Sequence, residues 1–284
     1  MAAKITAAKI LAIANQKGGV GKTTTSINLA ASLARMQQRV LLVDLDPQGN
    51  ATMGSGVNKA ELERGVYEVL THQCSAKEAI VALDENGFAV LPANGDLTAA
   101  EVELIDAPEK EQRLKQALAP ESDHYDYILI DCPPSLNMLT LNALVAAHGV
   151  LIPMQCEYFA LEGLSALSDT ISGIAASVNP GLAIEGLVRT MFDPRNRLTV
   201  EVSDQLKQFF GELVYRTVIP RNVRLAEAPS YGLPIIVYDK NSTGALAYLA
   251  LAGELVRRQG RHSPEPDTDN NGSAYNNGNS YKGS

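Results

Sequence analysis

The chain has 284 residues, a net charge of −8 and a hydrophobic content of 45%, enough to bury a core in one large domain or two small ones. Trp is absent and aromatics make up 5%, which argues against a stacking platform for single-stranded nucleic acid. The mildly acidic total gives no general attraction to DNA, although a local basic patch still acts within a screening length of about 8–10 Å.

Three unpaired cysteines, Cys74, Cys132 and Cys156, form no C-x-x-C motif. They suit a reducing cytoplasm and give little support to a zinc or iron–sulfur site. No apolar run approaches the roughly 18–20 residues of a membrane span.

After a short lead over residues 1–8, the first expected element is a buried strand, Ile10–Ala14. As an apolar run it is too short for the core of a signal peptide, about 7–15 residues. It runs into "NQKGGVGKTTT" (Asn15–Thr25), and a helical pattern over Thr24–Met36 follows. Strand, glycine-rich turn, Lys-Thr and helix in this order match the phosphate-cradling signature G-x-x-x-x-G-K-[ST]. Gly18, Gly19 and Gly21 let the backbone around Val20 curl so that N–H groups face phosphate oxygens. The helix adds its positive dipole end. Lys22 is expected to reach the β- and γ-phosphates, Thr23 to place its hydroxyl on Mg²⁺, and Thr24 to complete the ATP-binding stretch. The signature's first glycine is replaced by Gln16, with a second lysine, Lys17, beside it. Spacing leaves Lys17 folded onto its own phosphates, solvated at the surface, or projecting to the nucleotide of a facing copy. In the last case a cation supplied in trans would couple nucleotide state to dimerisation.

The next strand, Val40–Asp44, opens "VLLVDLDPQGNAT". Asp44 and Asp46 share parity if the strand persists, but Pro47-Gln48-Gly49 breaks it. Asp46 then either positions the attacking water, directly or through Mg²⁺, or caps a turn with Asp44. Further strands are expected at Ala89–Leu91, Tyr127–Asp131, Val150–Met154, Gly186–Thr190, Tyr215–Ile219 and Ile235–Val237. Helices are expected at Ala99–Ile105, Gln112–Leu118, Leu139–Ala147, Leu161–Ser177, Val200–Phe210 and Ala245–Arg258. Continuous apolar strands alternating with helices imply an α/β fold, a doubly wound, mostly parallel sheet flanked by helices, with ligands at the carboxyl ends of the strands. "YILIDCPPS" ends one such strand in Asp131, placed to hold Mg²⁺ through water. Cys132 reads as a small buried residue. Arginines gather in the second half: Arg189, Arg195, Arg197, Arg216, Arg221 and Arg224. They are either scattered solvated charges or contacts to a phosphate backbone, without sequence choice. Residues 9–259 read as a single domain. Residues 260–284, rich in Asn, Gly, Ser and Pro, read as a disordered tail.

"KGGVGKTTT" resembles the deviant Walker A motif of the ParA/MinD family of dimerising P-loop ATPases. "DLDPQGNAT" resembles the family's first switch, and "QCEYFALEGL" and "PRNVRLAEAPSYGLPI" the ParA subgroup often called Soj. The likeness spans roughly residues 9 to 258. It implies that Lys17 crosses to a partner's phosphates, that Asp46 serves hydrolysis, and that adenine lies near Pro220 and Asn222. It also implies that Arg195 and Arg224 touch nonspecific double-stranded DNA. The implied cofactors are ATP and Mg²⁺. The implied partners are a second copy and a ParB-type centromere-binding protein, at a cytoplasmic, nucleoid-associated location. The alternative is a MinD-like membrane-associated ATPase regulating division-site placement. It needs a basic amphipathic C-terminal helix, which the sequence after Arg261 does not offer.

Overall fold

The computed structural model describes residues 7–260, apart from Asp84, Phe159 and the side chain of Glu162. The expected tail and most of the lead lie outside the described residues. Eight strands form one sheet: β1 (Lys9–Ile13), β2 (Val40–Asp44), β3 (Val81–Leu83), β4 (Phe88–Leu91), β5 (Tyr127–Asp131), β6 (Gly149–Gln155), β7 (Ala183–Phe192) and β8 (Val214–Pro220). Their order is β3-β4-β2-β5-β1-β6-β7-β8. All neighbours pair in parallel except β3 with β4.

Parallel strands need both faces covered, because crossover helices lie on each side. Alternate residues of β1 show this. Ile10 and Ala12 enter a core shared with Leu139, Leu144, Leu164 and Leu206. Leu11 and Ile13 enter the opposite core with Leu29, Leu33, Leu251 and Leu255. The helices Lys22–Arg35 and Thr243–Arg258 thus back one face, while Met138–Ala146, Ala160–Ser177 and Arg197–Phe210 back the other.

Among the strands, two differences from expectation stand out. Ile235–Val237 is not a strand: Ile235–Tyr238 forms a single helical turn after Pro234. An apolar run this short fits either state. Pro234 sets an extended N-cap, and the buried Ile235 N–H donates to Asn28 Oδ1 at 2.6 Å rather than to a strand. β3, which no pattern announced, is a three-residue, partly buried antiparallel edge.

Candidate nucleotide site

The phosphate loop leaves the carboxyl end of β1, between β5 and β6, and its last residues open the helix Lys22–Arg35. Gly19 and Gly21 have φ of 73° and 87°, a left-handed region that a side chain disfavours. The loop is braced from outside. Asn15 donates to the Pro153 carbonyl at 2.8 Å and accepts from the Lys17 N–H at 2.9 Å. The Thr190 hydroxyl donates to the Val20 carbonyl at 2.7 Å, with both residues buried.

Lys22 lies on the floor of the loop, 7% exposed. Its ammonium donates to the Lys17 carbonyl at 3.2 Å. Burial lowers its pKa from the ordinary lysine value, and the Asp131 charge opposes that shift. Lys17 is instead half-exposed on the rim, and its ammonium pairs with Glu157, just beyond β6.

Strand register sets the carboxylates. Asp44 and Asp131 are direct neighbours at the ends of β2 and β5, and both are fully buried. Asp44 accepts from the Thr52 N–H and hydroxyl, each at 2.8 Å, and from the Asp46 N–H at 3.1 Å. Asp46 caps the turn as well, its Oδ1 accepting from the Gln48 N–H at 2.9 Å, so both carboxylates brace the segment that follows Asp44. The strand stops there, leaving Asp46 half-buried in the loop, close enough for its charge to act on Lys22 and Asp131. Asp131 accepts the Thr23 hydroxyl at 2.7 Å and the Ser26 hydroxyl at 2.8 Å. Burial raises the pKa of both Asp44 and Asp131, and the neighbouring charge of Asp44 raises Asp131 further. Burial also pushes the Cys132 thiol up, so it stays protonated and inert.

This donor set fits Mg²⁺. Thr23 gives its proton to Asp131, which leaves its oxygen lone pairs free for a hard cation. Among the described residues no group of three or more His, Cys, Asp or Glu is arranged to hold a metal. A cation here must take most of its ligands from water and phosphate, as Mg²⁺ does.

Beside the loop lies a mainly apolar cavity of about 180 Å³. Gly21 and Thr24 form one wall, and Thr190, Met191, Pro220, Asn222, Leu225 and Tyr248 line the rest. Pro220 and Asn222 therefore share one cavity with the end of the phosphate loop. The Asn222 amide accepts from the Leu225 N–H at 3.3 Å and donates to Thr243 at 2.8 Å. Sequence reading missed Thr190, Met191, Leu225 and Tyr248. Thr190-Met191, Leu225 and Tyr248 come from three segments far apart in the chain, so no local spacing joins them to the phosphate loop. Met191 has φ of 48°, which its residue type does not advertise.

The arginines separate into two kinds. Arg189 is not a surface contact: it is 3% exposed. It donates to Ser203 at 2.9 Å and to the Tyr215 and Arg216 carbonyls at 2.7 and 3.0 Å. It ties β7 to β8 and to the helix Arg197–Phe210. Arg195 and Arg224 are exposed, each held by an acidic neighbour. Arg195 meets Asp193 through two 2.9 Å bonds, and Arg224 meets Glu227 at 2.8 Å.

A loop of this shape, opening a helix at the end of a central parallel strand with a strand-end aspartate behind its Thr hydroxyl, defines a P-loop nucleoside triphosphatase of the doubly wound class. The family described as an AAA domain matches residues 8–184. The chromosome-partitioning ATPase Soj of Thermus thermophilus is 54% identical over 87% of this chain and 95% of its own. The chromosome partitioning protein ParA of Myxococcus xanthus is 51% identical over 91% and 92%. Among solved structures, cobyrinic acid a,c-diamide synthase from Mycobacterium smegmatis with bound ATP analogue and magnesium is 39% identical. It aligns with a TM-score of 0.78 over 89% of this chain and 96% of that one. The chain belongs to the ParA/Soj family of partitioning ATPases.

Proposed function

We propose that this ATPase binds one ATP per chain in the loop Lys17–Thr24, closes face to face with a second copy, and in that state holds double-stranded DNA by its backbone. The observation that carries this reading is the division of labour between the lysines. Lys22 occupies the floor of the cup, while Lys17 is half-exposed on its rim and paired with Glu157 rather than buried with Lys22. A cation in that position is available to a facing nucleotide.

The cavity lined by Pro220 and Asn222 receives the adenine, and the N–H groups of Gly18 to Thr23 receive the phosphates. Mg²⁺, when bound, neutralises developing charge on the phosphate oxygens. Thr23 offers it an oxygen, and Asp131 holds the Thr23 proton out of the way. Asp46, half-buried beside Lys22, orients the attacking water. Lys17 and Lys22 spread the phosphate charge from two sides.

Arg195 and Arg224 contact DNA phosphates, exchanging weak exposed ion pairs for phosphate oxygens. Dimerisation presents two such patches at once, and their effective concentration turns a weak contact into a useful one. A ParB-type centromere-binding protein stimulates hydrolysis, separates the copies and releases DNA, which drives segregation at the nucleoid in the cytoplasm. No helix among the described residues is long and apolar enough to cross a membrane, and no membrane partner enters this cycle.

Removing the water-orienting carboxylate tests the cycle. Asp46→Ala is expected to bind ATP, release phosphate at least 100-fold more slowly, and persist as a dimer in light scattering. A variant that stays monomeric with ATP contradicts the assigned order of events.

A further inference from the structure

The side chain of Lys17 has a partner that the nucleotide cycle leaves unused. Its ammonium meets Glu157, just beyond β6, with the two side chains 48% and 50% exposed. The backbones carrying them are fixed. On one side, Asn15 ties the Lys17 N–H and the Pro153 carbonyl together, and Lys22 holds the Lys17 carbonyl. On the other, the Glu157 N–H closes a turn onto the Gln155 carbonyl at 3.0 Å, immediately after β6 ends. The Glu157 carbonyl then accepts from the Ala160 N–H at 3.0 Å, where the next helix begins. Two long side chains on pinned backbones therefore set the state of this rim.

We propose that Glu157 is a positioning residue for Lys17: in the free chain it holds the ammonium off its own cup, and it must surrender that ammonium before a second copy can close. This inference rests on the trans role of Lys17 argued above and adds a regulatory element to it. The carboxylate and the partner's phosphates compete for one cation. While the ion pair persists, the rim presents a neutralised lysine to an approaching copy. Exchange occurs because phosphate offers more negative charge than a carboxylate and sits in a more enclosed site, where charge attraction is stronger.

The size of the brake follows from exposure. A half-exposed ion pair holds its partners only weakly, equivalent to roughly a two- to fivefold effect on an equilibrium. Glu157 is thus a bias on closure rather than a lock. Being partly exposed, the pair is also screened by salt.

The test compares the full chain with Glu157→Gln, which keeps the shape and removes the charge. Dimerisation with a slowly hydrolysed ATP analogue is measured by sedimentation at low and high salt. The expected result is a dimer two- to fivefold tighter in Glu157→Gln at low salt, with the ratio falling toward one as salt rises. Glu157→Asp, which retains the charge, is expected to stay within twofold of the parent. Affinity of the monomer for ADP is expected to be unchanged. An unchanged or weaker dimer in Glu157→Gln, or a ratio that ignores salt, overturns the proposal. Lys17→Ala run alongside separates the two ideas. If it still dimerises, the trans role itself has failed; if it is monomeric while Glu157→Gln matches the parent, only the brake has failed.

Discussion

Asp131 has no contact with solvent and lies one strand from Asp44, which is equally buried. Burial raises its pKa above the ordinary carboxylate value, and the Asp44 charge adds to that, against the hydroxyl bonds of Thr23 and Ser26. A raised carboxylate pKa in the native state means that the unfolded chain gives up its proton first. This group therefore subtracts stability progressively as pH rises from the unfolded value toward the folded one. Asp131→Asn is expected to stabilise the nucleotide-free protein in chelator by about 1–2 kcal/mol near pH 8, a rise in Tm of roughly 2–8 °C. The gain is expected to shrink as pH falls toward the ordinary carboxylate range, while hydrolysis is lost at every pH. Thermal unfolding of both proteins across pH checks this; a destabilised variant at pH 8 contradicts it. The placement of Lys22, Thr23 and Asp131 together was legible from residue types and order, whereas the other strand-end carboxylate, Asp44, proved to brace a turn. Arg189 was misread. An arginine on a strand reads as surface, and only its bonds to Ser203 and two carbonyls reveal a buried brace.

The turn between β1 and its helix depends on backbone angles as much as on side chains. A Cβ added to Gly21 would meet only Thr190 atoms, at 3.8 Å, so space is not limiting. The limit is its φ of 87°. Gly21→Ala is expected to cost about 1–2 kcal/mol, and Gly21→Asn less, because Asn tolerates the left-handed region. Denaturant unfolding without nucleotide measures both, and equal losses would point to crowding instead. Apart from the partly buried edge β3 and the false strand at 235–237, strands were readable to within a few residues, because their apolar runs are covered on both faces. β2 and β5 match the expected Val40–Asp44 and Tyr127–Asp131. The turns Asn50–Gly54, Val66–Leu70, Ala76–Ala79 and Val223–Glu227 escaped notice. Four or five residues carry no helical period, although local caps such as the Ser75–Glu78 box and Asn222 with the Leu225 N–H were there to be read.

A chain with net charge −8 repels DNA at long range, so any grip must come from local guanidinium groups acting together. Arg224 is exposed and balanced by Glu227, and in the proposed closed pair it occurs twice. Arg224→Glu is expected to lower DNA retention by at least tenfold and to reduce the salt slope of binding by about 2, one contact per copy. ATP-driven dimerisation is expected to remain. Filter retention over a salt series, paired with light scattering, reads both quantities, and joint loss would mark the arginine as part of the fold. The cavity beside the phosphate loop could not be foreseen at this level from spacing, since that loop, β7, β8 and the helix Thr243–Arg258 meet there only after folding.

The central claim is that Lys17 serves a second copy of the chain. Sedimentation of the parent and of Lys17→Ala with a slowly hydrolysed ATP analogue, and again with ADP, tests it most directly. The parent is expected to be a dimer with the analogue and a monomer with ADP, and Lys17→Ala a monomer under both conditions despite retained nucleotide. A Lys17→Ala protein that dimerises like its parent would contradict it.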